Sequence, residues 1–109
     1  MNDISSYNDL FLTTAKEHIN ALENKFAEDN TIENMEEIFR RLHSLKGSSG
    51  AMGYKEIENT CTKMVDLIRP EQKVLLPDEQ TFNTLKTFFD RLKEQLRSIS
   101  SGKVGNIRE

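Results

Sequence analysis

The residues of this chain best suited to chemistry lie at positions 39–53 and centre on His43. On a helix at 100° per residue, His43 would project about 100° from the middle of the apolar stripe. Lys46, Gly47 and Gly50 follow it at i+3, i+4 and i+7 and would share its flank. A neutral imidazole offers a free nitrogen lone pair near pH 7 and can take up a phosphoryl group. A lysine one turn away would compensate the added negative charge.

The two glycines beside His43 cost the helix about 2 kcal/mol relative to alanine. A purely structural helix gains nothing from that cost, whereas bare backbone lets a partner protein or a bulky phosphoryl group approach the imidazole. Arg40 lies at i−3 on the same flank, and Ser44 directly follows His43. We therefore predict His43 as the phosphorylation site, Lys46 as the residue that compensates charge, and a partner-docking surface formed by Gly47, Gly50, Arg40 and Ser44.

Four amphipathic segments must position these residues. Apolar side chains recur every three or four positions over about 3–28, 31–52, 54–69 and 78–100. No segment of useful length alternates with period two. The pattern predicts an all-α fold, an antiparallel up-down four-helix bundle over residues 1–100. Residues 101–109 are expected to form a flexible tail or linker.

Within this bundle the sequence also predicts helix ends and core positions. Asn30 or Thr31 is expected to cap the second helix, and Gly53 to end it. Residues 74–76 are expected to pack as a lid on one end of the bundle. The inward positions of the first helix are predicted to be Ile4, Tyr7, Phe11, Ala15, Ile19, Leu22 and Phe26. The fourth helix has a heptad seam made by Phe82, Leu85, Phe89, Leu92, Leu96 and Ile99, which leaves a helix-pairing oligomer as an alternative.

Length and composition exclude several classes of protein. The chain has 109 residues, 18 acidic and 15 basic, with one cysteine. It is too short for an enzyme that combines a nucleotide-binding domain with a substrate domain. Its acidic balance argues against a nucleic-acid binder, and the lone Cys61 against a disulfide or a structural zinc site. The sequence lacks an apolar run of the roughly 18 residues needed to span a membrane, so a cytoplasmic location is expected.

The stretch HSLKGSSGAMG at residues 43–53 resembles the signature of histidine phosphotransfer (HPt) domains of two-component signalling. The first helix, at residues 7–22, is similar to the N-terminal phosphotransfer domain of chemotaxis-type histidine kinases. The resemblance covers about residues 6–68, and the fourth helix is compatible by pattern. It implies a helical bundle that is phosphorylated on His43 and passes the group to an Asp of a response-regulator receiver domain.

The resemblance also implies the partners and the limits of the module. The expected partners are a receiver domain and a histidine kinase, without nucleic acid or membrane insertion, and the module is expected to be a monomer. It would have no nucleotide site and no cofactor of its own, so it would not be an enzyme by itself. The Mg²⁺ for transfer would be bound by the receiver.

One position departs from the chemotaxis kinases. Their phosphotransfer domains have a Glu on the third helix that hydrogen-bonds the phosphorylated histidine, and our alignment places Val65 there. The neighbouring Asp66 would point about 100° away. The departure favours an HPt module that receives its phosphoryl group from a receiver domain or a sensor kinase.

Two alternatives remain open at this point. The chain could be a non-phosphorylated helical adaptor that binds a receiver as a scaffold, although a scaffold would not need both His43 and Lys46. It could also be the phosphorylation-site domain of a chemotaxis-type kinase. For the second histidine, His18, at the edge of the apolar stripe of the first helix, we predict a structural role. Arg41 is expected to pair with nearby glutamates or face solvent.

Overall fold

In the computed structural model of the protein, residues 3–69 and 73–100 are described, with side chains described from residue 7 onward. The described residues form α1 (Asp3–Ala27), α2 (Ile32–Met52), α3 (Lys55–Ile68) and α4 (Glu79–Ser100). Each helix packs against the next one along the chain, and α1 also packs against α4. The predicted all-α, up-down four-helix bundle is therefore confirmed. The predicted tail at 101–109 lies outside the described residues.

The helix that holds His43 begins and ends where the sequence predicts. The Thr31 hydroxyl accepts a hydrogen bond from the Asn34 backbone N–H at 3.1 Å, which caps the start of α2. At the other end Gly53 adopts a left-handed conformation with φ of 84°, and the Tyr54 N–H donates to the Ser49 carbonyl at 2.9 Å. Glycine pays no steric penalty in that conformation, so α2 stops and the chain reverses into α3.

The bundle core is a continuous cluster of apolar side chains from all four helices. The buried members on α2 and α3 hold these two helices side by side, and Ser49 is buried where they approach. Its hydroxyl donates to the Leu45 carbonyl at 2.7 Å, so the buried polar atom is satisfied. The buried apolar residues of α2 and α3 are Met35, Ile38, Leu42, Leu45, Ile57, Cys61, Met64 and Ile68.

One predicted core position is wrong. Tyr7 was expected inside the bundle, but 62% of it is exposed. Tyr54, from the turn between α2 and α3, occupies that end of the bundle instead. Its ring packs on Phe11 with centroids 5.1 Å apart, and its hydroxyl donates to the Asn8 side chain. The helical stripe does not reveal this exchange, because the competing ring comes from a different segment. Ile4 lies outside the described side chains.

The heptad seam of α4 faces into the bundle. Leu85, Phe89, Leu92, Leu96 and Ile99 are buried, and Phe82 is half-buried against the same core. The seam residues therefore pack within the chain itself, and the helix-pairing oligomer stays an untested alternative. The predicted lid is confirmed only in part: Val74 packs on the core, whereas Leu75 and Leu76 remain largely exposed.

Candidate functional site

His43 lies near the middle of α2 with its side chain exposed. Leu42 and Leu45, on either side of it, are fully buried and fix the face of the helix that His43 presents. The imidazole stacks on the ring of Phe39, one turn earlier, with centroids 5.5 Å apart and planes 23° from parallel. Within the described part of the chain, no hydrogen bond or ion pair involves this imidazole. Its nitrogens are therefore open to a reactant from solvent.

Lys46 lies one turn after His43 and is half-buried. Its ammonium acts on Cys61 of α3. Burial raises the pKa of the Cys61 thiol to about 12, and the positive charge of Lys46 partly opposes that rise. Among residues 7–69 and 73–100, no carboxylate lies within ion-pair distance of the Lys46 ammonium. This positive charge is consequently not neutralised by those residues and can act on an anion beside His43.

The two glycines beside His43 have different surroundings. A Cβ added to Gly47 would meet no atom within 4 Å, so the helix backbone there is open. A Cβ added to Gly50 would lie 2.8 Å from Glu58 Oε2, because the Glu58 side chain of α3 packs over that glycine. Lys55 holds the same carboxylate at 3.6 Å. The helix backbone is thus open at Gly47, whereas Glu58 covers it at Gly50. The docking role of Gly50 stays a prediction.

The arginines before His43 also separate into two kinds. Arg40 is exposed and pairs with Glu37 at 2.5 Å, a surface ion pair that a partner can displace. Its hydrogen bond is the main reason why the pKa of the Glu37 carboxyl lies below its ordinary value. Arg41 pairs with Glu37 at 3.1 Å and also reaches α1. Ser44, like Arg40, is exposed.

His18 is the α1 residue that Arg41 contacts. The Arg41 guanidinium donates to His18 Nδ1 at 3.3 Å, which requires that nitrogen to be unprotonated. Burial lowers the pKa of His18, and the charge of Arg41 lowers it further. Both effects favour the neutral ring at pH 7. The predicted structural role is confirmed in that His18 joins α1 to α2.

The pairing of α2 with α3 can be traced from two contacts. Near one end, the Glu58 side chain covers Gly50. Near the other, the Arg69 guanidinium lies over the Phe39 ring, 5.0 Å from its centroid. Eleven residues separate the two contacts on α2, and eleven separate Glu58 from Arg69, the residue that follows α3. The two helices therefore run antiparallel.

An even count of residues between these two contacts brings Val65 level with His43. The Val65 side chain is half-buried and packs on the core, and the neighbouring Asp66 is exposed. That Val65 takes the place of the chemotaxis-kinase Glu stays a prediction. An apolar side chain accepts no hydrogen bond, so the imidazole has no orienting acceptor at this point of α3.

Sequence reasoning missed three side chains near the site. Phe39 packs on the core, and its ring also contacts His43. The i−4 spacing of the two residues was the available signal for this contact. Glu58 over Gly50 and Arg69 over Phe39 depend on the register between two helices, which no local pattern specifies.

The described residues form neither a metal-binding cluster nor a membrane-spanning helix. Across residues 3–69 and 73–100, no group of three or more His, Cys, Asp or Glu side chains could hold a metal ion. In the same ranges no helix is both long and apolar enough to cross a membrane. The exposed His43, with Lys46 and Gly47, is therefore the strongest candidate site.

Comparison with known proteins identifies the family of this chain. The family described as the Hpt domain matches residues 7–100. The chain belongs to the Hpt family. Two similar curated proteins are both named Chemotaxis protein CheA. The one from Halobacterium salinarum is 30% identical over 100 residues, covering 88% of this chain and 14% of the relative. The one from Bacillus subtilis is 27% identical over 110 residues, covering 94% and 16%.

These relatives confirm the resemblance to a chemotaxis-type Hpt domain. The chain spans less than a fifth of their length, because the match covers 14% of one and 16% of the other. No solved structure matches the chain. Hpt domains are phosphotransfer modules of two-component signalling, and their partners in general are kinases and response regulators. Membership therefore places this chain in that class of signalling protein.

Proposed function

We propose that this Hpt domain is a phosphorelay intermediate that carries a phosphoryl group on His43 between a histidine kinase or receiver domain and the Asp of a response-regulator receiver. One observation supports this most strongly. An exposed imidazole without a hydrogen bond to described residues lies one turn from Lys46, a cation without a carboxylate partner among them. Open helix backbone at Gly47 lies on the same flank.

The proposed transfer uses His43 as the nucleophile. The Nε2 lone pair of the neutral ring attacks the phosphorus of the donor's aspartyl phosphate. The P–N bond forms as the bond from phosphorus to the carboxylate oxygen breaks, and the Asp leaves as a carboxylate. The proton on Nδ1 then passes to water. Donation to the next receiver Asp reverses these steps.

Lys46 is proposed to offset the charge of the phosphoryl group. A phosphohistidine in mid-helix is far from the helix N-terminus, so the helix dipole supplies no compensation. The ammonium on the adjacent turn can supply it through a charge-assisted hydrogen bond. We propose no cofactor for this chain, and the Mg²⁺ needed for transfer would belong to the receiver.

The proposed docking face combines α2 with the start of α1. On α2 it comprises Gly47, Gly50, Ser44 and Arg40. On α1 it includes Tyr7, which precedes His18 by three helical turns and therefore lies on the side of α1 that faces α2. Exposed apolar area there, 62% of Tyr7 and 64% of the nearby Leu10, suits a small and transient interface.

Phosphoryl transfer from a labelled donor tests the proposal. The protein is mixed with a receiver domain carrying a radioactive aspartyl phosphate, and acid-labile, base-stable phosphate is measured on this chain. We expect label on the wild type and none on His43→Gln. Label that persists in the variant would overturn the assignment of His43. A receiver that binds the domain tightly without any transfer would favour the adaptor alternative.

A second candidate function is the phosphorylation-site domain of a chemotaxis-type histidine kinase. The two CheA relatives favour it, since each is several times longer than the match. The same assay separates the two, with a CheA-type catalytic domain and ATP as the alternative donor. Faster labelling by the phosphorylated receiver supports the relay. Labelling by the catalytic domain alone would replace it with the second candidate.

We also infer that the domain acts as a monomer in the cytoplasm. The buried seam of α4 supports the monomer, because its apolar residues are already packed within the chain. The lone Cys61, buried in the core, suits a reducing compartment. Sedimentation over a hundredfold range of concentration checks the oligomeric state, and a mass that rises with concentration would contradict it.

A further inference from the structure

The imidazole of His43 is held by an aromatic ring. In a helix, long side chains lean back toward the preceding turn, which brings His43 over Phe39 at i−4. The two rings lie 5.5 Å apart between centroids and only 23° from parallel. Stacking of this kind restricts rotation of the imidazole about its own bond to the helix, because rotation would separate the two faces.

Among the described residues, no hydrogen bond fixes the orientation of the His43 imidazole. His43 has no hydrogen-bond partner among them, and the residue opposite it on α3, Val65, offers only methyl groups. Orientation of the reacting nitrogen must therefore come from packing. Phe39 is the ring that contacts the imidazole.

Phe39 is itself contacted from the end of α3. The guanidinium of Arg69, the residue that follows α3, lies over its ring, 5.0 Å from the centroid, in a cation–π contact. Phe39 is also half-buried against the bundle core. A ring held by both the core and Arg69 gives His43 a surface on which to stack.

We propose that Phe39 is a positioning residue for His43, setting the orientation at which the imidazole meets the phosphorus of a docked phosphoryl donor. The inference rests on the proposed function of His43. Phe39 touches the imidazole and not the reacting atoms. Its effect is therefore on the alignment of attack, which matters most when a protein partner fixes the position of the phosphorus.

The test compares a protein donor with a small one. Phe39→Met keeps apolar volume but removes the ring, and Phe39→Tyr keeps the ring. Phe88→Met is a matched control: Phe88 on α4 is half-buried, with the Arg91 guanidinium 5.1 Å from its centroid, and α4 does not pack on α2. Each protein is phosphorylated by a phosphorylated receiver and, separately, by phosphoramidate, which meets the imidazole free in solution.

With the receiver as donor, we expect Phe39→Met to slow transfer about tenfold, whereas Phe39→Tyr stays within about threefold of the wild type. With phosphoramidate, Phe39→Met should remain within about twofold, because no docked geometry has to be matched. The Phe88 control should change neither rate. Equal receiver rates for Phe39→Met and the wild type would overturn the inference, as would an equal loss with both donors.

A measurement on the unphosphorylated wild type tests the stacking even if a variant misfolds. The ring protons of His43 should show the upfield NMR shift of a stacked imidazole, retained in Phe39→Tyr. Ring protons at the positions of a free histidine would overturn the inference whatever the variants do. A wild type labelled by neither donor would instead overturn the proposed function, and the NMR result would still decide whether the rings stack.

Discussion

The two histidines of the described chain lie on neighbouring helices and have opposite environments. His18 on α1 is half-buried, and its Nδ1 accepts a hydrogen bond from Arg41 of α2. His43 on α2 is exposed, stacks on the ring of Phe39 and has no hydrogen bond to the described residues. The lone pair of one imidazole is used inside the protein, and that of the other remains for an external partner. Residue type alone therefore does not identify the reactive histidine.

Charge separates the two histidines as well. Beside His18, the Arg41 guanidinium is already shared with Glu37. Beside His43, the Lys46 ammonium has no carboxylate within ion-pair distance in the described residues. A bound phosphoryl group would meet a free cation at His43 and a neutralised one at His18. The first site suits a transferable anion, and the second suits a contact between helices.

The largest effect on the phosphorylation rate is expected when each histidine is replaced separately by glutamine. His43→Gln should lower phosphorylation about a hundredfold or more, because the nucleophile is gone. His18→Gln should leave the rate within about threefold, since that ring lies outside the proposed reaction. Labelling by a phosphorylated receiver measures both, with circular dichroism to show that each variant is folded. Equal losses in the two variants would remove the distinction between them.

Lys46→Met tests whether the free positive charge beside His43 assists phosphoryl transfer. We expect transfer to His43 to slow by about ten- to a hundredfold, the cost of losing one charge-assisted hydrogen bond to the phosphoryl group. Thermal unfolding should change little, because the Lys46 ammonium has no ion pair in the described residues to lose. Lys63→Met, an exposed lysine on α3, is the control. A Lys46 variant as fast as the control would show that the charge is not used.

The fold was more predictable than the site because its signals are local. The apolar period specified four helices, and Thr31 and Gly53 marked the ends of α2 through side-chain and backbone chemistry within a few residues. Tyr7 was misplaced, and at that end of the bundle Tyr54, distant in sequence, packs on Phe11. Propensity and period contain no information about such competition between segments.

At the site, the sequence identified the exposed His43 and its lysine but not what surrounds them. Gly47 and Gly50 share a flank on the helical wheel, yet only the second is covered, since Glu58 of α3 reaches it. The register between α2 and α3 decides that difference. The same pairing of the two helices places Arg69 on Phe39.

Stability against pH tests the environment of His18. Because its pKa is lowered in the folded state, the unfolded chain binds the proton first as the pH falls. The free energy of unfolding should be fully retained above the unfolded pKa of 6.5 and decrease as the pH falls from there through the folded pKa. His18→Gln should remove this slope and cost about 1 kcal/mol at pH 7 for the hydrogen bond. Urea unfolding at several pH values measures it, and parallel profiles for the variant and the wild type would contradict it.

The smallest expected effect concerns the open backbone beside His43. Gly47→Ala should raise the free energy of unfolding by about 1 kcal/mol, because the added methyl enters empty space and improves helix propensity. Gly50→Ala should gain less, since Glu58 must move away from a Cβ 2.8 Å from its Oε2. Thermal unfolding of the two variants decides the order. Equal gains would mean that Glu58 does not restrict that position.

A single spectrum tests the central claim that His43, and not His18, takes the phosphoryl group. The protein is labelled with ¹⁵N in its histidines and phosphorylated by a receiver domain, and the ring nitrogens are followed by NMR. We expect Nε2 of His43 to acquire a coupling to phosphorus while the signals of both His18 nitrogens keep their positions. Phosphorus coupled to His18, or a phosphorylated protein in which neither histidine changes, would contradict it.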